Sequence, residues 1–269
     1  MKSHRFINAG ILGFVAATIQ PQIVLAYTAE NISSIAKDVT VTIDAKDLSG
    51  SGVIIGRQGS EYSVLTNWHV LKSKQPYTIK TKDGQTYQIK PTSIQQIASL
   101  DLAIGTFTST KIYRVVELGN SDTVAEGSTL YIAGAPANLQ GIASRNVLVV
   151  GGQLVGYNSA DRNGYTLIYT NNTMPGMSGG AVIDSNGNLV GIHGRGSRDQ
   201  NDQKSGFNLG IPINLFVSNA DRLGLKYTTQ RARLDRKTSI PLQPKFLQGR
   251  PRVVDGSEDT NGACPGDQC

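Results

Sequence analysis

Between residues 39 and 90, apolar and polar positions alternate in short runs. Val39-Thr40-Val41-Thr42-Ile43, Gly52-Val53-Ile54-Ile55, Tyr62-Ser63-Val64-Leu65-Thr66, Tyr77-Thr78-Ile79-Lys80-Thr81 and Thr86-Tyr87-Gln88-Ile89-Lys90 are rich in β-branched and aromatic residues. They stop at clusters of Gly, Asp or Ser. A period of two sends successive side chains to opposite faces, so each run predicts a strand. Lys82-Asp83-Gly84-Gln85 predicts a hairpin, because Asp-Gly suits a type I′ turn. A second set follows at Thr129-Leu130-Tyr131-Ile132-Ala133, Val147-Leu148-Val149-Val150, Thr166-Leu167-Ile168-Tyr169, Gly180-Ala181-Val182-Ile183 and Leu189-Val190-Gly191-Ile192. Asp184-Ser185-Asn186-Gly187-Asn188 predicts a further hairpin loop. Convincing helical periodicity is absent from any long segment, and Ile213 to Leu223 has the best helical character. Two consecutive sets of antiparallel strands predict an all-β chain of two barrels or sandwiches. The first spans about 34–118, the second about 128–212, with a boundary at Gly119 to Gly127.

The two ends differ from this body. Residues 1–26 read as a secretory leader: Lys2, His4 and Arg5, then an apolar core over 6–17, then the small-residue end Val24-Leu25-Ala26. The expected chain starts at Tyr27 and is secreted or periplasmic, touching a membrane only through an uncleaved leader. From about 229 to 269 a basic, proline-interrupted stretch and then an acidic, Gly-rich one predict a disordered tail. The net charge of +6 belongs partly to these ends, so the body is only slightly basic. Cys264 and Cys269 both lie at the C-terminal end and cannot staple a core. With two histidines outside the leader, no metal-ligand cluster is predicted. Phosphate loops, dinucleotide fingerprints and nucleic-acid motifs are not found. We expect no cofactor, no nucleic-acid partner and a monomer.

The chemistry centres on Gly176-Met177-Ser178-Gly179-Gly180. Glycines permit backbone angles closed to other residues, so a serine here can be exposed with backbone N–H groups turned toward one point. A Gly-rich hairpin would look the same. A nucleophilic serine needs a base, most often histidine. His69 breaks the apolar run Val64-Leu65-Thr66-Asn67-Trp68-His69-Val70-Leu71. Asp101 breaks another, Ser99-Leu100-Asp101-Leu102-Ala103-Ile104, where a buried carboxylate needs a partner. The order His, Asp, Ser, with gaps of 32 and 77 residues, supports a triad in a cleft between the two strand sets. The G-x-S-x-G pattern also fits an α/β-hydrolase elbow, but that needs the histidine last and alternating β/α units.

Thr66-Asn67-Trp68-His69-Val70, Asp101-Leu102-Ala103-Ile104 and Gly176-Met177-Ser178-Gly179-Gly180 resemble the three signatures of trypsin-like serine endopeptidases. The resemblance covers about 34–223 and is to the bacterial branch with the glutamyl endopeptidases and the HtrA-type protease domain. It implies a chymotrypsin-like pair of barrels and peptide-bond hydrolysis, with protein or peptide substrates. It implies catalysis by His69, Asp101 and Ser178, with Gly176 and Ser178 N–H groups as the oxyanion hole. Asn172 takes the place at the pocket base where an aspartate would select Arg or Lys. Thr173 and His193 match positions that line a carboxylate-binding pocket in glutamyl endopeptidases, with Arg195 and Arg198 close in sequence. Gly194, Arg195 and Gly196 would pair with substrate backbone. Met177 stands where trypsin-like zymogens carry an activating aspartate, so that activation route is not expected. A peptide-binding or chaperone-like protein on a protease scaffold is the alternative.

Overall fold

The described chain begins on a helix that the alternation did not predict. α1 (Ala29–Val39) is capped by Thr28, which accepts from the Asn31 N–H at 3.2 Å while the Asn31 side chain accepts from the Thr28 N–H at 3.1 Å. Ile32, Ile35, Ala36 and Val39 recur at helical spacing and form its buried face. The computed structural model describes residues 27–222 except 74, 138–143, 160, 199 and 202, together with Leu225 and Tyr227. The leader over 1–26, the tail over 229–269 and both cysteines lie outside the described residues.

Seven short strands follow: β1 (Thr40–Ala45), β2 (Leu48–Gln58), β3 (Glu61–Thr66), β4 (Thr78–Lys80), β5 (Thr86–Gln88), β6 (Gln95–Gln96) and β7 (Ala103–Thr108). A single turn of helix, α2 (Trp68–Leu71), lies between β3 and β4. The strands pair in the order β5-β4-β1-β2-β3-β7-β6. This set curls into a half-barrel whose edge strands β5 and β6 are only three and two residues long, and it stands as the first of the two strand sets expected. The Asp-Gly hairpin forms as expected: Gly84 takes φ +79° and Thr81 N–H donates to Gln85 O at 3.0 Å.

The second set does close. β8 (Thr129–Gly134), β9 (Leu148–Tyr157), β10 (Leu167–Tyr169), β11 (Ala181–Asp184), β12 (Leu189–Arg198) and β13 (Lys204–Pro212) make a six-stranded barrel. α3 (Ile213–Arg222) closes the described fold, as expected. Every pairing between named strands is antiparallel, which excludes the α/β-hydrolase alternative.

Three apolar clusters hold these parts. One fills the half-barrel around Tyr62, Phe107 and Ile79, and another fills the closed barrel around Leu154, Tyr169 and Val182. The third lies between them and joins Val53, Leu65 and Leu102 to Ala133, Ala181 and Ile192, with Ile32 of α1 and Phe216 of α3. Both barrels bury apolar surface at this seam, which fixes the cleft above it.

Candidate active site

The first half of the site is built on barrel one. Asn67 precedes α2, and its side-chain amide donates to Asp101 O at 3.0 Å. The first N–H groups of a helix have no partner within it. His69 uses that freedom: its backbone N–H donates to Asp101 Oδ1 at 2.7 Å, while its ring Nδ1 lies 2.7 Å from Oδ2. Two bonds to one carboxylate fix the ring, place its proton on Nδ1 and leave Nε2 as the acceptor. Tyr165, from the segment between β9 and β10, also donates its hydroxyl to Asp101 Oδ2. Burial pushes the Asp101 carboxyl up, but the bonds from His69 and Tyr165 outweigh it and hold the group below the usual range.

The second half is the turn carrying Ser178. Pro175 O accepts from Ala137 N–H at 2.9 Å, and the N–H of a trans peptide points opposite to its C=O. The Gly176 N–H is therefore directed away from Ala137. Met177 O likewise accepts from Gly180 N–H at 3.0 Å, which turns the Ser178 N–H outward. Among the described residues neither the Gly176 nor the Ser178 N–H has a protein partner. Two free N–H groups beside a serine hydroxyl are what an oxyanion hole requires.

Ser51 of β2 braces this turn from behind. Its N–H donates to Ser178 O at 2.7 Å and its hydroxyl to Gly176 O at 2.9 Å. Gly179 fits only because it lacks a side chain: at φ +86°, a Cβ would lie 2.1 Å from Ser51 O and Thr66 Oγ1. Arg145 adds a guanidinium from just before β9. It donates to Gly176 O at 3.1 Å, Ala135 O at 2.9 Å and Gly50 O at 2.5 Å, and pairs with Asp44.

The Ser178 hydroxyl donates to Gly194 O at 2.7 Å and makes no hydrogen bond to His69. Such bonds in unliganded sites often close only when substrate arrives. β12 pairs with β11 as far as Ile192 and continues to Arg198 against β13 alone. Its other edge is thus open from Gly194 onward, beside Ser178.

A cleft next to Ser178 is lined by Thr173, His193, Arg195, Gly196, Arg198 and Lys204, among others. Among the described residues its lining holds three cationic side chains and no carboxylate, and one of the three, Arg195, pairs with Asp161 from outside the lining. Asn172 is exposed and does not line it. Its neighbours Asn171 and Thr173 turn inward, and alternation sends Asn172 out. The Thr173 hydroxyl faces the interior and donates to Asn208 Oδ1 at 2.6 Å, so it has no proton to offer a substrate. Lys204, which the sequence did not single out, donates to Thr173 O at 2.6 Å.

His193 is buried, with Nδ1 2.6 Å from the hydroxyl of Tyr169. Among the described residues that hydroxyl has no other partner, and a buried O–H must find an acceptor. It therefore donates to Nδ1, and the ring proton sits on Nε2. Burial, with repulsion from Lys204 and His69, pushes the His193 pKa down to about 3. The unfolded value is about 6.5, so below it the unfolded chain binds a proton that the native chain does not. This contribution to stability is complete above about pH 6.5 and is lost as the pH falls toward 3, at roughly 1.4 kcal/mol per unit. Urea midpoints measured from pH 7 to pH 4 should fall accordingly, and His193→Gln should flatten the slope. Equal slopes for both proteins would show that His193 protonates freely in the fold.

The structure thus brings together His69, Asp101, Ser178, Gly176, Thr173, His193, Gly194, Arg195 and Gly196, and leaves Asn172 outside. Sequence reasoning missed Ser51, Arg145, Tyr165 and Lys204. Ser51 had a faint signal in Gly50-Ser51-Gly52, and the others had none.

Comparison with known proteins agrees with this geometry. The Trypsin-like peptidase domain matches residues 50–192. The Do-like HtrA serine protease of Lactobacillus helveticus is 24% identical over 188 residues, 69% of this chain and 45% of the relative. That of Bacillus subtilis is 25% identical over 192 residues, 70% and 42% respectively. The serine endoprotease DegS of Salmonella typhimurium is 25% identical over 177 residues, 65% and 48%. The chain therefore spans less than half the length of these curated relatives. In fold it is similar to the HtrA-type protease AlgW, solved with a tripeptide (TM-score 0.59, 23% identity, 73% of this chain and 64% of that one) and with a decapeptide (0.58, 21%, 74% and 68%). With a half-barrel and a closed barrel meeting at a His-Asp-Ser cleft, and with the family's domain matched across more than half its length, the chain belongs to the trypsin-like peptidase family of serine proteases.

Proposed function

We propose that this chain is a serine endopeptidase that works through an acyl-enzyme. The observation that carries the proposal is the meeting of Ser178, the oriented His69–Asp101 pair and two unbonded N–H groups at one open strand edge. A peptide laid along Gly194, Arg195 and Gly196 adds a strand to that edge. Its own N–H takes over Gly194 O as acceptor and releases the Ser178 hydroxyl toward His69 Nε2. The Ser178 oxygen then attacks the peptide carbonyl while His69 takes the proton. Asp101 stabilises the imidazolium, and the N–H groups of Gly176 and Ser178 hold the oxyanion. The proton passes to the leaving amine, and water repeats the sequence on the ester with His69 again as base. Every group in this scheme comes from one chain, which fits a monomer. No cofactor takes part. A location outside the cytoplasm rests on the leader over residues 1–26. Labelling of Ser178 by a fluorophosphonate tests the mechanism; a folded protein that never labels would leave a peptide-binding scaffold.

The cleft supports a preference for Glu or Asp before the scissile bond. His193 Nε2–H and the Lys204 ammonium supply donors and positive field at this cleft, with Arg195 and Arg198 adding to the field. Charge-assisted bonds in such a pocket are the strong kind. Peptides differing only at that position should be cleaved fastest with Glu. Lys204→Met should lower kcat/KM for the Glu peptide by about tenfold while changing the Leu peptide by less than about twofold. Equal rates for Glu, Leu, Ala and Arg in wild type would rule the preference out.

A further inference from the structure

We propose that Tyr165 is a positioning residue for the triad, holding Asp101 from barrel two while His69 holds it from barrel one. The inference rests on the serine-protease reading of the site. Tyr165 lies two residues before β10, is 2% exposed, and donates its hydroxyl to the same Oδ2 that accepts from the His69 ring. Asn163, in the same segment, accepts from the Asp101 backbone N–H at 3.0 Å. Asp101 is thereby gripped at both main chain and side chain by a segment of the other barrel.

The space that Tyr165 occupies is made by a glycine. A Cβ at Gly194 would lie 1.8 Å from Tyr165 Cε1, so any larger residue beside the nucleophile would expel the ring. Arg195 also holds the ring. The Arg195 guanidinium carbon stands 4.6 Å from the ring centroid, and Arg195 also pairs with Asp161 at 3.0 Å. Tyr165 is therefore packed between Asp101 and the first residues of the open substrate edge.

The chemical role follows from the bond. With Tyr165 donating, part of the Oδ2 charge is drawn away from the His69 proton, and the carboxylate is kept in the plane that meets Nδ1. Without that hydroxyl the carboxylate pulls harder on the imidazolium and is freer to rotate. The charged groups facing this pair are Arg195 and Asp161 at the tyrosine and His69 at the carboxylate, while His193 stays neutral above about pH 3.

The test is the rate of fluorophosphonate labelling against pH in wild type, Tyr165→Phe and Ser178→Ala, which needs no knowledge of the preferred substrate. Tyr165→Phe keeps the ring and removes one oxygen. We expect its plateau rate to fall about tenfold and its acid limb to move to higher pH by several tenths of a unit, with thermal unfolding little changed. Tyr165→Ala should show the same displacement of the acid limb. Identical plateau and limb in wild type and Tyr165→Phe would overturn the inference while leaving the mechanism intact, provided Ser178→Ala does not label. A lower plateau with an unmoved limb would assign Tyr165 to packing alone and also overturn it. A wild type that never labels would fail the enzyme reading itself and this inference with it.

Discussion

Ser178→Ala lowers kcat by about 10⁴-fold or more, because the acyl-enzyme can no longer form. His69→Ala should cost a comparable factor. The serine hydroxyl is a weak nucleophile until His69 Nε2 accepts its proton, and Asp101 can orient nothing once the ring is gone. For the same reason the double variant should be barely worse than either single one, since the residues act as a unit. The residue of rate that survives comes from the N–H groups of Gly176 and Ser178, which neither change removes. The measurement is single-turnover cleavage of the peptide that wild type cuts fastest, with each variant shown to be folded by its melting curve. Cleavage by pure Ser178→Ala at more than about a hundredth of the wild-type rate would rule out the acyl-enzyme.

Gly176→Ala attacks the remaining part of the machinery. Gly176 has φ +92°, a region that an L side chain rarely enters. A Cβ there would lie 2.3 Å from Ala137 N and 2.8 Å from Ala135 O, both backbone atoms that cannot swing aside. The peptide before Gly176 must then rotate, breaking the Ala137–Pro175 bond and turning the Gly176 N–H out of the cleft. Loss of one such donor lowers kcat by about 10²–10³-fold. KM should change little, because the donor meets the oxyanion and not the ground-state carbonyl. Steady-state kinetics decide the matter: kcat within threefold of wild type would mean that the oxyanion is held elsewhere.

Much of the fold is legible in local patterns. The alternation of β1 to β3, the Asp-Gly turn at residues 83 and 84 and the loop before β12 each depend on neighbours in sequence, and each forms as expected. α1 was hidden because its apolar spacing, at 32, 35, 36 and 39, runs directly into the alternation that starts at Val39, although the strand itself begins only at Thr40. Closure of the sheets could not be read, since it depends on which distant edges meet. The same divide runs through the site. His69, Asp101 and Ser178 stood out as polar breaks in apolar runs or within a cluster of glycines. Ser51 reaches Gly176 across 125 residues, Tyr165 reaches Asp101 across 64, and Arg145 reaches Asp44 across 101. Apart from the two glycines that flank Ser51, no local pattern distinguishes these residues from ordinary surface ones. Thr173 shows the converse: its spacing suggested a donor to substrate, but the fold commits its proton to Asn208.

Arg145 joins Asp44 and Gly50 of one barrel to Ala135 and Gly176 of the other. The carbonyl it holds belongs to the residue that supplies an oxyanion donor. A newly made chain in which only one barrel has condensed has neither this clasp nor the seam beneath it. Its serine is then just one more hydroxyl on an unfinished surface. The proposed site is therefore complete only where the two halves are docked, since neither barrel alone holds all of its groups.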